Sequence, residues 1–446
     1  MSMFRNLMLR ATESGPDTFI CKIKNTENSA VTPYIAFPVR SAYAYIPAVT
    51  ATIETSSGQS QTLTITGTDL TTRNDSEWKG LGRKESFSTV SMAQDETATV
   101  TLYSKSKQFP SFSFCSKITG YDYSSTNAKL YEVNTPLPVF VDGFCGSVFV
   151  GSLLTSLSND LFQYGGRIKE LDRTFAHSSL VSVPEGLFNG LSKVTKATNL
   201  FLNNDNLTTL PANLFSGMPE VTDLSNCFEY CSALTSIPEG LFDGVTKVTS
   251  LSSLFSDCSE LTSIPANLFN GMSKVTDLSG MFRGCKKLAS VPEGLFSGMT
   301  EVIYLSSMFS GCTSLISIPE GLFSGMTKAT MIRYCFSGCT SLTSIPVSLF
   351  REQVNATNFY SCFSSVPASA IHPNIFCDEA TEKATRFANV TPDFSDCFYS
   401  LTGTVAGTAP ALWEYTYKAE PTKDSCFSGN SATTLSNYGD IPTEWK

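Results

Sequence analysis

The sequence predicts a mainly β chain with short helical turns, in which an N-terminal β-sandwich-like module is followed by a solenoid of 27-residue units. Three observations predict it. Pro184, Pro211, Pro238, Pro265, Pro292, Pro319 and Pro346 stand at one constant interval of 27 residues. Two phenylalanine columns keep step with them, Phe188 to Phe350 and Phe201 to Phe363. Upstream of residue 151 the period is absent, and short apolar alternations separated by turn residues take its place.

With the proline as position 1, the unit beginning at Pro292 reads P-E-G-L-F-S-G-M-T-E-V and closes L-S-S-M-F-S-G-C-T-S-L. Apolar residues recur at positions 4, 5, 8, 11, 14, 17, 18, 21, 24 and 27. So short a segment cannot bury that many apolar side chains alone, so each unit must stack on its neighbours. V-T-x-L and L-T-S-I-P read as short strands, rich in β-branched residues. E-G-L-F-x-G-M and S-x-M-F-x-G-C are Gly-terminated and compatible with one helical turn each. The proline sits where a strand hands over to a turn, so it need not donate to a ladder.

The string S-x-M-F-x-G-C-x-S-L-T-S-I-P resembles the BspA-like leucine-rich repeats, and the likeness covers residues 150–400. Such repeats are similar to those of surface adhesins of host-associated bacteria and of fibre proteins of phages that infect them. The resemblance implies a leucine-rich-repeat fold and a binding role, not a particular ligand.

In chain order, residues 1–45 read as an N-terminal arm or docking segment, with strands at 18–24 and 31–39. Residues 46–104 alternate at 49–54, 62–66, 86–90 and 97–103, the spacing of a β-sandwich-like domain. Residues 105–150 lack the period and are read as a transition and N-terminal cap, because the open end of a stacked array must be shielded. Residues 151–400 form the repeat solenoid, and residues 401–446 its C-terminal cap. The first unit is imperfect, with Phe162 and Phe175 one residue out of register. After Phe363, Cys397-Phe398 and Cys426-Phe427 look like degraded copies of positions 17 and 18.

A net charge of −9 without a basic run argues against nucleic-acid binding. No stretch approaches the roughly 18 apolar residues of a membrane helix, so membrane insertion is not expected. Residues 1–15 lack the apolar core of a secretory signal. A chain with adhesin-like repeats and no export signal is accounted for by a phage protein, made in the host cytoplasm and carried on the virion surface. The alternative is a bacterial cell surface.

Cys231, Cys258, Cys285, Cys312 and Cys339 occupy position 21, and Cys227, Cys335 and Cys362 occupy position 17, where other units carry Leu254, Met281 and Met308. The exchange marks small buried hydrophobes, as thiols rather than disulfides or metal ligands. His177 and His372 have no nucleophile and acid in a recognisable pattern. No motif singles out a pair of carboxylates for glycoside hydrolysis. Asn203 to Asn206 lacks the regular ligand spacing of a calcium loop and reads as an Asn-rich turn. No enzyme, cofactor or metal is expected.

What remains is surface. Positions 13, 16, 19 and 20 vary between units, and there the chain places Tyr230, Arg283, Tyr304, Met331 and Tyr334, with Arg333 beside them. Exposed aromatics and arginines on a rigid array are a common binding device. The expected function is a phage tail fibre, head fibre or decoration protein. It would dock to other virion proteins through its N-terminal region and meet a host protein or glycan through the repeats; the alternative is a bacterial adhesin. A homo-oligomer is compatible with this pattern, although no heptad forces three-fold symmetry.

Overall fold

The computed structural model describes residues 18–25, 30, 34–39, 49–65, 81–86, 90–103, 108–109, 129–137, 139–140, 145–146, 148–377 and 380–446. They divide into two compact units, residues 1–221 and 222–446. The chain is mainly β, and helix is confined, among the described residues, to five short 3-10 turns. No helix among them is long and apolar enough to cross a membrane.

The first unit carries strands β1 (Thr18–Lys24), β2 (Tyr34–Val39), β3 (Val49–Thr55), β4 (Ser60–Ile65), β5 (Leu81–Ser86), β6 (Thr97–Tyr103), β7 (Gln108–Phe109), β8 (Lys129–Val133) and β9 (Val139–Phe140). Five of them make an antiparallel sheet in the order β4-β3-β6-β1-β8. Strict alternation puts every second side chain of β1, β3 and β6 inside, so Phe19, Cys21, Ile23, Ala51, Ile53, Val100 and Leu102 line one face. Register locks this: Val100 pairs with Cys21 on one side and Ile53 on the other. One sheet thus draws strands from 1–45, 46–104 and 105–150. Most of the strand expected at 86–90 lies outside the described residues, and β5, which the sequence reading did not expect, pairs with β2 along its whole length.

The later part of the same unit begins the repeating coils. The phenylalanine columns are present as ring stacks: Phe149 on Phe175 at 5.2 Å, Phe175 on Phe201 at 5.4 Å, and Phe162 beside Phe188 at 5.8 Å. The one-residue slip seen in the sequence is absorbed in the backbone, where Glu170 bridges Lys196, 26 residues away, in parallel.

In the second unit the 27-residue interval is a spatial one. Asp223, Ser250, Asp277, Tyr304, Met331 and Asn358 form a chain of single parallel bridges, which continues to Asp393 and Thr422. The position-18 rings stack from Phe228 through Phe255, Phe282, Phe309, Phe336, Phe363 and Phe398 to Phe427, with centroids 5.1 to 5.9 Å apart. Such pairs add about 0.5–1.5 kcal/mol each beyond the area they bury. Threonine hydroxyls donate to carbonyls one coil earlier, as Thr276 does to Thr249 and Thr343 to Ile316. Lys287 with Glu260 and Lys328 with Glu301 pair at the same offset. The segments expected to be helical turns are tight β-turns, because left-handed residues interrupt a right-handed helix in both, at positions 3 and 7 of most coils in the first and at 16 and 20 in the second.

The cysteines divide into two kinds. Position 17 is apolar packing, as the exchange with Leu and Met implies. Position 21 is more than that: Cys258, Cys285, Cys312 and Cys339 donate their S–H to the carbonyls of Phe228, Phe255, Phe282 and Phe309, at 3.1 to 3.2 Å. Asn204 and Asn430 stand at the same place and donate to Phe175 and Phe398 at 2.8 and 2.7 Å. The thiols add a second donor to carbonyls that already accept the backbone N–H three residues on, and the two amides donate to the buried carbonyls at the equivalent place. Near the end of the array a buried Arg386 serves the same need without a carboxylate. It donates to the carbonyls of Phe350, Gln353 and Phe376 and lies 4.2 Å over the Phe387 ring.

Candidate functional site

Each coil of the second unit uses three specialised surface positions. Position 13 is Asx at Asp223, Asp277, Asn358 and Asp393, where the side-chain oxygen accepts from the backbone N–H two residues on, at 2.8 to 3.1 Å, and at Ser250 the hydroxyl accepts from the same place. That Asx-turn closes the bend. Positions 16 and 20 are left-handed and are filled by Asn226, Ser253, Gly280, Ser307 and Ser361, and by Asp257, Gly284, Gly311, Gly338 and Ser365. Glycine and short polar residues tolerate that backbone; large side chains rarely do.

Four of the six candidate residues break these columns. Tyr304 and Met331 replace the turn-closing Asx residue at position 13, and neither can accept from the backbone in its place. Tyr334, at φ 57°, and Tyr230, at φ 59°, occupy left-handed positions where their side chains cost of order 1–3 kcal/mol of strain. Turn chemistry accounts for none of the four.

The structure brings Arg283, Tyr304, Met331 and Arg333 together. They line one open depression of about 420 Å³ with Asp277, Gly280, Ser253, Ser279, Ser306 and Ser307. Tyr304 is 44% exposed. Arg283 donates to Asp257 Oδ2 at 3.1 Å, whereas Arg333 has no ion-pair or side-chain hydrogen-bond partner among the described residues.

Tyr230 and Tyr334 lie outside that lining. Tyr334 meets Tyr360 edge to face at 5.1 Å, and hydrogen bonding to Tyr334 and Asp396 pushes the Tyr360 phenol up to about 12. Tyr230 follows Glu229, whose carboxyl is raised to about 6 by burial and by nearby Asp257. Tyr360, Asp277 and Asp257 were missed by sequence reasoning, and lining up positions 13, 15 and 20 across coils is the signal that finds them.

The histidines and the Asn-rich turn take structural places. His177 is half-buried and left-handed, and burial lowers it to about 4. His372 Nδ1 accepts from the Asn374 N–H at 3.0 Å. Asn204 turns its amide inward to backbone carbonyls. Among the described residues no three His, Cys, Asp or Glu side chains converge as metal ligands.

Residues 169–295, 216–320 and 249–370 each match the family model described as "Mycoplasma protein of unknown function, DUF285". The overlapping matches fall on the 27-residue array and support a repeat protein. No curated protein matches the chain.

Proposed function

We propose that this chain is a non-enzymatic structural and binding protein of a phage virion, a tail fibre, head fibre or decoration protein. In this reading residues 151–400 are a BspA-like leucine-rich-repeat solenoid that displays a recognition face for the host surface. The N-terminal β region docks it to other virion proteins. Parallel bridges and ring stacks at the 27-residue interval support the solenoid. One observation carries the binding role: residues that defy the turn chemistry of their columns gather, with two arginines, at one depression. Residues kept against the conformational preference of their position point to a use other than folding.

The match to a family described from Mycoplasma favours a second reading, a bacterial cell-surface adhesin. Antibodies to the full chain, applied to purified phage particles and to intact bacteria carrying the gene, separate the two. Labelled virions together with binding of purified chain to host cells support the first reading. Labelled cell envelopes support the second. Label on neither, with no binding to cells, overturns both.

A further inference from the structure

Resting on that binding-face reading, we propose that the depression between Arg283 and Arg333 takes a carboxylated sugar of a surface glycan. The chain is acidic overall, with net charge −9, and three cations along the nearby coils are answered: Arg283 by Asp257, Lys287 by Glu260, Lys328 by Glu301. Of the two cations that line the depression, Arg333 is the one with no ion-pair partner among the described residues. A guanidinium is a planar fork that suits one carboxylate, held by two parallel N–H donors.

The other walls fit a polyol better than a peptide. Serine hydroxyls give and accept hydrogen bonds toward ring hydroxyls. Asp277 commits one oxygen to the Ser279 N–H, at 2.8 Å, and keeps a second for a sugar O–H. The exposed ring of Tyr304, beside Met331, offers a flat apolar surface for the C–H face of a pyranose. The volume lies within the roughly 300–1,000 Å³ of small-ligand sites and leaves no deep apolar socket for a peptide anchor. Asp277 also disfavours ligands of higher charge, such as a phosphate dianion, through like-charge repulsion.

The test is calorimetric titration of the full chain with oligogalacturonate and with 3′-sialyllactose, each against its carboxyl-reduced counterpart. Saturable binding to at least one carboxylated probe is expected, weakened roughly tenfold to a hundredfold by carboxyl reduction or by Arg333→Met. Tyr304→Asn should weaken binding while leaving the melting temperature unchanged or higher, which rules out loss by unfolding. Equal binding of carboxylated and reduced probes, no effect of Arg333→Met, or no binding to either probe overturns the proposal. If neither probe binds but the chain still binds intact cells, the carboxylate assignment falls and the binding-face reading stands. If cells are not bound either, both fall.

Discussion

In the sheet built on β1, β3 and β6, backbone groups pair along continuous antiparallel ladders. In the coils of residues 222–363, backbone bonds between neighbouring turns are spaced around left-handed residues, as where Leu251, Ser253 and Phe255 donate to Asp277, Ser279 and Met281, and side chains add further donors. The sheet needs only alternation; almost any residue of the right polarity serves. A coil is more selective at several places: Asx recurs at 13, a small or polar residue at 16 and 20, and a buried donor at 21. Exceptions in the sheet's surface therefore carry little information, whereas exceptions in the coils are conspicuous.

That contrast is breakable by experiment, and the largest effect should come from the ring stack. Phe309→Ala removes a ring stacked on both sides and should cost about 3–5 kcal/mol in urea unfolding. In hydrogen exchange the loss should appear in the coils and spare β3 and β6. Loss of protection across both would show that the sheet and the coils do not differ as described.

The two cysteine columns sharpen the comparison. Cys312→Ala removes one of the two donors to the Phe282 carbonyl, the other being the Cys285 N–H, and should cost about 0.5–1.5 kcal/mol beyond the lost packing. Cys335→Met, which copies Met281 and Met308 of the same column, should cost less than about 1.5 kcal/mol. Equal losses would mean position 21 is mere packing after all.

Alkaline pH tests the same column without mutation. Burial pushes the Cys258, Cys285 and Cys312 thiols well above their ordinary range, and Cys339 up to about 12. A folded value above the unfolded one, about 8.5, means the thiols' stabilisation is complete below that pH and is lost as pH rises through it toward the folded value. The coils' urea midpoint should fall between pH 8 and 10 by more than that of the sheet, where Cys21 is the one buried thiol among β1, β3 and β6. A midpoint flat with pH would refute this.

The smallest effect has the opposite sign. Tyr334→Asn places at position 16 the residue that Asn226 already supplies, and should raise stability by about 1 kcal/mol, read as a higher melting temperature. A loss would mean that contact with Tyr360 outweighs the backbone strain.

Much of this was legible in the chain. Alternation located β1 and β6 to the residue, because both lie in one half-buried sheet. The strand at 81–86 was not legible, since its partner, not its composition, selects it. The repeat and both ring columns were read directly from the prolines and phenylalanines. The donor role of position 21 was hidden by reading it together with position 17; the clue was Asn204, an amide where an apolar residue was expected. The candidate residues were found as variable surface positions, but their oddity emerges only when backbone φ is known. The depression needs three dimensions, because Arg283, Tyr304 and Arg333 come from successive coils.

From Phe363 to Phe398 the chain runs 35 residues, eight more than the regular interval, yet the two rings stack at 5.5 Å as their neighbours do. Contour length and spatial step are uncoupled there. One coil is longer than its neighbours, and the file of rings behind it continues with Phe398 on Phe427 at 5.1 Å. The added length is folded inward, where Phe376 and Phe387 pack against Phe350, Phe359 and Phe394, so this coil is a thickened plank in the stack rather than a handle upon it.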